Sequence, residues 1–145
     1  MNGAQAFLNE ATLRKVAAAA TAGTTDVESS VVSAAGGMDV TFFADIAVAN
    51  AGNYIKVQGG ALADGSDMAD LAGSKVVAAV NDDVVAVNVF RPVFPYLRAV
   101  VVRTVSTASG PVYCAQRGAR VLPPDNNLAS EIVSEVLVSP AAGTA

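Results

Sequence analysis

The chain has 145 residues, 52% of them hydrophobic, with one cysteine, no histidine, no tryptophan and a net charge of −4. This length suits one domain that holds its core without staples. The composition excludes an intrachain disulfide and Ser-His-Asp or Cys-His nucleophile systems, leaves too few ligands for zinc, and argues against nonspecific nucleic-acid binding.

Residues 5–20 read as a short helix or an extended arm: Phe7, Leu8 and Ala11 fall near helical spacing, and Ala17 to Ala20 favour helix. From Thr24 the pattern changes to strands. Asp26 to Val32 is half-exposed, and Ala34-Ala35-Gly36-Gly37 is a turn. Val40 to Val48 puts Phe42, Ala44, Ile46 and Val48 on one face, with Thr41 and Asp45 marking the other. Asn50-Ala51-Gly52-Asn53 reads as a hairpin-like turn, and Tyr54 to Gln58 alternates again. In the long connection from Gly59 to Gly73, Asp67 to Leu71 suits one capped helical turn.

Ser74 to Val80 and Val84 to Phe90 are strands joined by Asn81-Asp82-Asp83. Arg91-Pro92-Val93-Phe94-Pro95 is a rigid corner, since neither proline fits the interior of a central strand. Tyr96 to Thr104 is so continuously apolar that both its faces are expected to be covered. Ser106 to Gly110 turns, and Val112 to Gln116 returns.

About seven strands at this spacing predict an all-β fold, a single antiparallel β-sandwich with N- and C-terminal arms. The expected boundaries are 1–23 for the N-terminal arm or helix, 24–122 for the sandwich and 123–145 for the C-terminal arm. In that last segment Leu128, Ile132, Val133, Val136 and Leu137 fit a helical stripe, while Ile132, Ser134, Val136 and Val138 fit a strand. No run of about 18 apolar residues offers a membrane-spanning helix. Met1-Asn2-Gly3-Ala4 lacks the layout of a secretory signal, so synthesis in the cytoplasm is expected.

Few residues invite chemistry. Asp45, Asp64, Asp67, Asp70, Asp82 and Asp83 could supply a carboxylate pair, but solvated surface acids are the plainer reading, and no enzyme and no cofactor are expected. Asp64-Gly65-Ser66-Asp67-Met68-Ala69-Asp70 sets oxygen ligands at short spacing, as Ca²⁺ sites do, but without the EF-hand order, and a capped turn is the plainer reading. Gly36-Gly37 and Gly59-Gly60 lack the phosphate-loop pattern and read as turns or bulges. Cys114, in an apolar stretch, reads as a small buried hydrophobe. Arg91, Arg98 and Arg103, in or beside apolar strands, either snorkel, pair across strands or serve an interface.

Three groups of residues carry a resemblance: Gly37-Met38-Asp39-Val40-Thr41-Phe42-Phe43, then Ala63-Asp64-Gly65-Ser66-Asp67 with Ala69-Asp70-Leu71, then Arg91-Pro92 followed by Tyr96-Leu97-Arg98-Ala99-Val100-Val101. Over about Thr24 to Gln116 the chain resembles a family of small tailed-phage virion proteins encoded beside the major capsid protein. The tail after Pro124 departs from that pattern. The resemblance implies a β-sandwich on the capsid surface of the virion, acting as a cement or decoration protein, with the major capsid protein as partner and a homotrimer as its assembly. Expected oligomer or capsid contacts are Arg91, Phe94, Tyr96, Arg98, Leu128, Ile132 and Val136. The alternative is a sandwich module that binds a carbohydrate or host surface. That role needs an exposed aromatic platform, for which Tyr54, Tyr96, Tyr113 and five phenylalanines are available.

Overall fold

The structure is a computed structural model that describes residues 11–34 and 39–118. Alternating apolar residues there form twelve strands: β1 (Ala11–Ala17), β2 (Ala20–Gly23), β3 (Val27–Glu28), β4 (Val32–Ser33), β5 (Asp39–Ile46), β6 (Asn53–Gly60), β7 (Ala69–Asp70), β8 (Val76–Val77), β9 (Asp83–Phe90), β10 (Tyr96–Arg103), β11 (Thr107–Ser109) and β12 (Val112–Arg117). Among the described residues there is no α-helix, so the all-β antiparallel architecture expected from the sequence is present.

The twelve strands follow eight tracks, because four tracks are interrupted. In the first sheet β1 and β2 pair with β12 and β11, which pair with β5, which pairs with β9. In the second, β3 and β4 pair with β10, β10 with β6, and β6 with β7 and β8. Numbered along the chain, track one pairs with eight, two with seven, three with six and four with five. That is a long hairpin rolled into two sheets, the jelly-roll form of the sandwich.

One face of each sheet supplies the core. Phe42 and Ile46 of β5, Val85 and Val87 of β9, and Val112 and Cys114 of β12 meet Ile55 and Val57 of β6 and Leu97, Ala99 and Val101 of β10. Each large apolar side chain buried this way contributes roughly 1.5–3 kcal/mol.

Several expectations are corrected. From Ala11 onward the supposed arm or helix is β1 and β2. Register with β12 and β11 overrides the helix propensity of the alanines, so residues 11–23 belong to the first sheet. Asn50 to Asn53 is a crossover between sheets, since β5 and β6 lie in different ones. Asp67 does not cap a helix. Its carboxylate accepts from the Ala61 and Leu62 amides, and β7 follows. The strand expected over 74–80 shrinks to Val76–Val77, and the turn expected over 106–110 contains β11. Twelve strands replace seven chiefly because tracks are broken and short edge pieces carry little periodicity. The expected turn at Gly36-Gly37 and the segment 123–145 lie outside the described residues.

Candidate functional site

The two outer faces of the sandwich differ in chemistry. On the second sheet a polar ladder crosses four strands. Arg98 Nη1 donates to Glu28 at 2.9 Å and Nε to Gln58 at 2.7 Å; Gln58 Nε2 donates to Asp70 at 2.7 Å, and Lys56 Nζ to Asp70 at 2.8 Å. Hydrogen bonds from Lys56 and Gln58 hold the Asp70 carboxyl below its usual range. Val100 and Val102 are also on this face but buried, flanked in register by Glu28, Lys56 and Tyr54. The expected cover of β10 thus comes, on this side, from side chains of neighbouring strands.

The outer face of the first sheet is largely apolar. Register sets Tyr113 beside Phe43 and Phe43 beside Ala86. The row on one side of these sets Leu13 beside Ala115, and the row on the other sets Asp45 beside Val84. The Phe43 and Tyr113 rings lie 5.4 Å apart, tilted by 31°, within the range of favourable aromatic pairs. Val84 is 68% exposed and Phe90 63%. The charges that register places on this face are Lys15 beside Tyr113, Arg117 beside Asp39, and Asp45. Asn88 donates to Asp39 and Thr41.

The expected contact residues separate. Arg91, Phe94 and Tyr96 gather at the end of the sandwich where β9 crosses to β10. Arg91 takes a positive φ of 51° and lies over the Phe90 ring at 5.3 Å. Val93 beside it is 88% exposed. Phe94 packs on Gly59, where a Cβ would lie 2.6 Å from the ring. Gly59 is therefore a platform for Phe94 within β6, rather than a turn. Arg98 is one row inward, engaged in the ladder. Ala11 and Arg117, partners in register, lie at the same end, and Leu128, Ile132 and Val136 lie outside the described residues. Gly59→Ala is expected to displace the ring and destabilise the protein by about 1–2 kcal/mol, read as a lower urea midpoint; an unchanged midpoint would mean that the corner is loosely packed.

Sequence reading did not single out Val84, and it named Tyr113 and the phenylalanines only as aromatics available to a carbohydrate platform. The signal lay in the doubled Phe42-Phe43, which must place one ring on each side of its strand. It also missed the burial of Arg103. This side chain is only 5% exposed. Its Nε donates to the Thr25 carbonyl at 2.6 Å, and its Nη1 to those of Thr21 at 2.7 Å and Thr107 at 2.8 Å.

Of the aspartates that could supply a carboxylate pair, Asp64 accepts from the Ser66 amide, which lowers its pKa, and Asp83 accepts from the Ala79 and Val80 amides. Among the described residues no three His, Cys, Asp or Glu side chains converge on a metal position. A cleft of about 370 Å³ between β1 and β4 is lined by Arg14, Ser30, Ser33 and Gln116, with Arg14 Nη1 buried and unpartnered. A smaller hollow of about 170 Å³ lies between Phe43, Asp45, Val84, Pro111 and Tyr113. In comparisons with protein-family models, curated proteins and solved structures, nothing matches this chain.

Proposed function

We propose that this chain is a structural virion protein that binds the outer surface of a phage capsid and stabilises the shell. The observation that carries this reading is the apolar outer face of the first sheet, set against the charged ladder on the second. An exposed apolar and aromatic patch rimmed by charges, on a protein whose core is already complete, marks a docking surface. Phe43, Tyr113 and Val84 would form its centre, with the major capsid protein as partner. Jelly rolls also recur among viral capsid domains, an analogy of fold that supports the reading without establishing it. Repetition over a symmetric shell would multiply modest contacts into avidity.

The test uses shells stripped of this protein. Added wild-type protein is expected to bind and to raise the temperature at which shells rupture. Phe43→Lys, with its fold checked by circular dichroism, is expected to bind at least about tenfold more weakly, because it places a charge at the centre of the face. Shells that rupture at the same temperature with and without bound protein would sink the stabilising role. Binding to a glycan array, without binding to shells, would favour the carbohydrate reading. The aromatic pair beside Asp45 supports that alternative, but its hollow of about 170 Å³ is smaller than the roughly 300–1,000 Å³ of most ligand pockets.

A further inference from the structure

A sheet edge exposes unpaired backbone groups, and natural proteins blunt such edges by shortening, breaking or charging them. Among the described residues the two sheets have four edges, and three of them are blunted. The track of β1 and β2 carries Arg14 and Lys15, shifts register between Lys15 and Ala17, and is interrupted after Ala17. The tracks of β3 with β4 and of β7 with β8 consist of two-residue pieces. The side of the sandwich holding β1 and β4 is also laced shut, by Ser30 N–H to the Val16 carbonyl at 2.8 Å and by Gln116 Nε2 to the Ser33 carbonyl at 2.7 Å.

β9 is the exception. It is eight residues long, its register with β5 is unbroken, and from Val84 to Phe90 it carries no charge, proline or bulge. Among the described residues no strand pairs with its far edge. It ends cleanly on both sides, at Asp82 and Arg91, each with a positive φ.

We infer that β9 is the site of self-association: two copies join antiparallel through β9 about a two-fold axis at Val87, making one continuous sheet of the two first sheets. The strand is self-complementary in that register. Side chains alternate between faces, so residues opposite each other must share a face. Centring on Val87 satisfies this. Val84 then faces Phe90 of the second copy, Ala86 faces Asn88, Val85 faces Val89, and Val87 faces its own copy. Branched and aromatic pairs of this kind stabilise antiparallel strands. Just beyond the pairs, Asp83 stands across from Arg91 of the second copy, so the ends carry opposite charges. A centre one residue earlier would set Val84 against Asn88 and Phe90 against Asp82. The favoured register also merges the two apolar outer faces into one. The arrangement is two-fold and stands independently of the docking role; it differs from the three-fold assembly that the family resemblance implies.

The test is sedimentation of the full chain with disulfide trapping. The wild type is expected to sediment as a dimer. Val84→Cys with Phe90→Cys should oxidise to a covalent dimer linked between positions 84 and 90, because directly opposed strand residues meet disulfide geometry. Val84→Cys with Asn88→Cys should not cross-link. The native Cys114 is fully buried and does not compete. Ala86→Lys, on the exposed face, sets two ammonium groups diagonally across the axis and should raise the dimer dissociation constant at least about tenfold. A monomer or a trimer in sedimentation, a link between 84 and 88, or a dimer indifferent to Ala86→Lys would overturn the inference. Circular dichroism confirms that each variant is folded.

Discussion

Arg103→Met is expected to lower the unfolding free energy by about 3–5 kcal/mol, because it removes three hydrogen bonds from a buried charged donor, each contributing about 1.5–3 kcal/mol before water offsets part of the loss. The guanidinium donates to three backbone carbonyls, those of Thr21, Thr25 and Thr107. These carbonyls belong to β2, to the crossover from β2 to β3 and to the start of β11, so one side chain ties together two corners at the same end of the sandwich. Methionine keeps much of the volume and removes every donor. The carbonyl of the fully buried Thr107, left without a partner, costs about 1–3 kcal/mol, whereas water offsets part of the loss at Thr21 and Thr25, which are exposed residues. With a urea slope of about 1.5–2 kcal/mol/M, the midpoint should fall by roughly 2 M. Arg103→Lys should recover a minority of the loss, because one ammonium cannot reach three carbonyls set around a planar fork. A change below about 1 kcal/mol for Arg103→Met would show that these bonds are replaced by water at no net loss.

How far the fold was legible depended on whether the deciding contact was local. β5, β6 and β9 alternate strongly and β10 is a continuous apolar run, and all lie in or beside the core, so these local patterns found them within a residue or two. β1 and β2 were misread because their alanine-rich sequence favours helix locally, while the decision is made by pairing with β12 and β11 about a hundred residues away. The topology was not legible. Asn50 to Asn53 has hairpin chemistry, yet Asn53 is fully buried, donating to the Val48 carbonyl and accepting from the Val105 amide, and so fastens two crossovers. The role of Arg103 was hidden for the same reason, since two of its acceptors lie 78 and 82 positions away. The apolar outer face of the first sheet was legible in part: Thr41 and Asp45 on the outward side of β5 read as solvent-facing, and only the register showed that Phe43 between them meets Tyr113 and Ala86.

Cys114 was read from its neighbours as a small hydrophobe, and its environment turns that reading into a dependence on pH. The side chain is fully buried in the core. Burial pushes its thiol from 9.0 up to about 12, with nearby Arg14 pulling weakly the other way. Below pH 9 the thiol keeps its proton in both the folded and the unfolded chain, so it adds no slope. Between pH 9 and 12 the unfolded chain loses the proton while the folded chain retains it. A raised folded pKa therefore gives stability that is whole below the unfolded value and is lost as pH rises toward the folded one. The loss approaches about 1.4 kcal/mol per pH unit and totals roughly 4 kcal/mol near pH 12. Cys114→Ala removes this titration at the expense of about 1 kcal/mol of packing at neutral pH. Urea titrations of both proteins from pH 7 to 11.5 should show the wild type more stable at first, the two curves crossing above pH 9, and the variant more stable thereafter. Comparing the two cancels every ionisation that the substitution leaves unchanged. Parallel curves would show that the thiolate is tolerated inside the sandwich, which requires water or the Arg14 guanidinium to reach the sulfur and would contradict the packed core between β12 and β10.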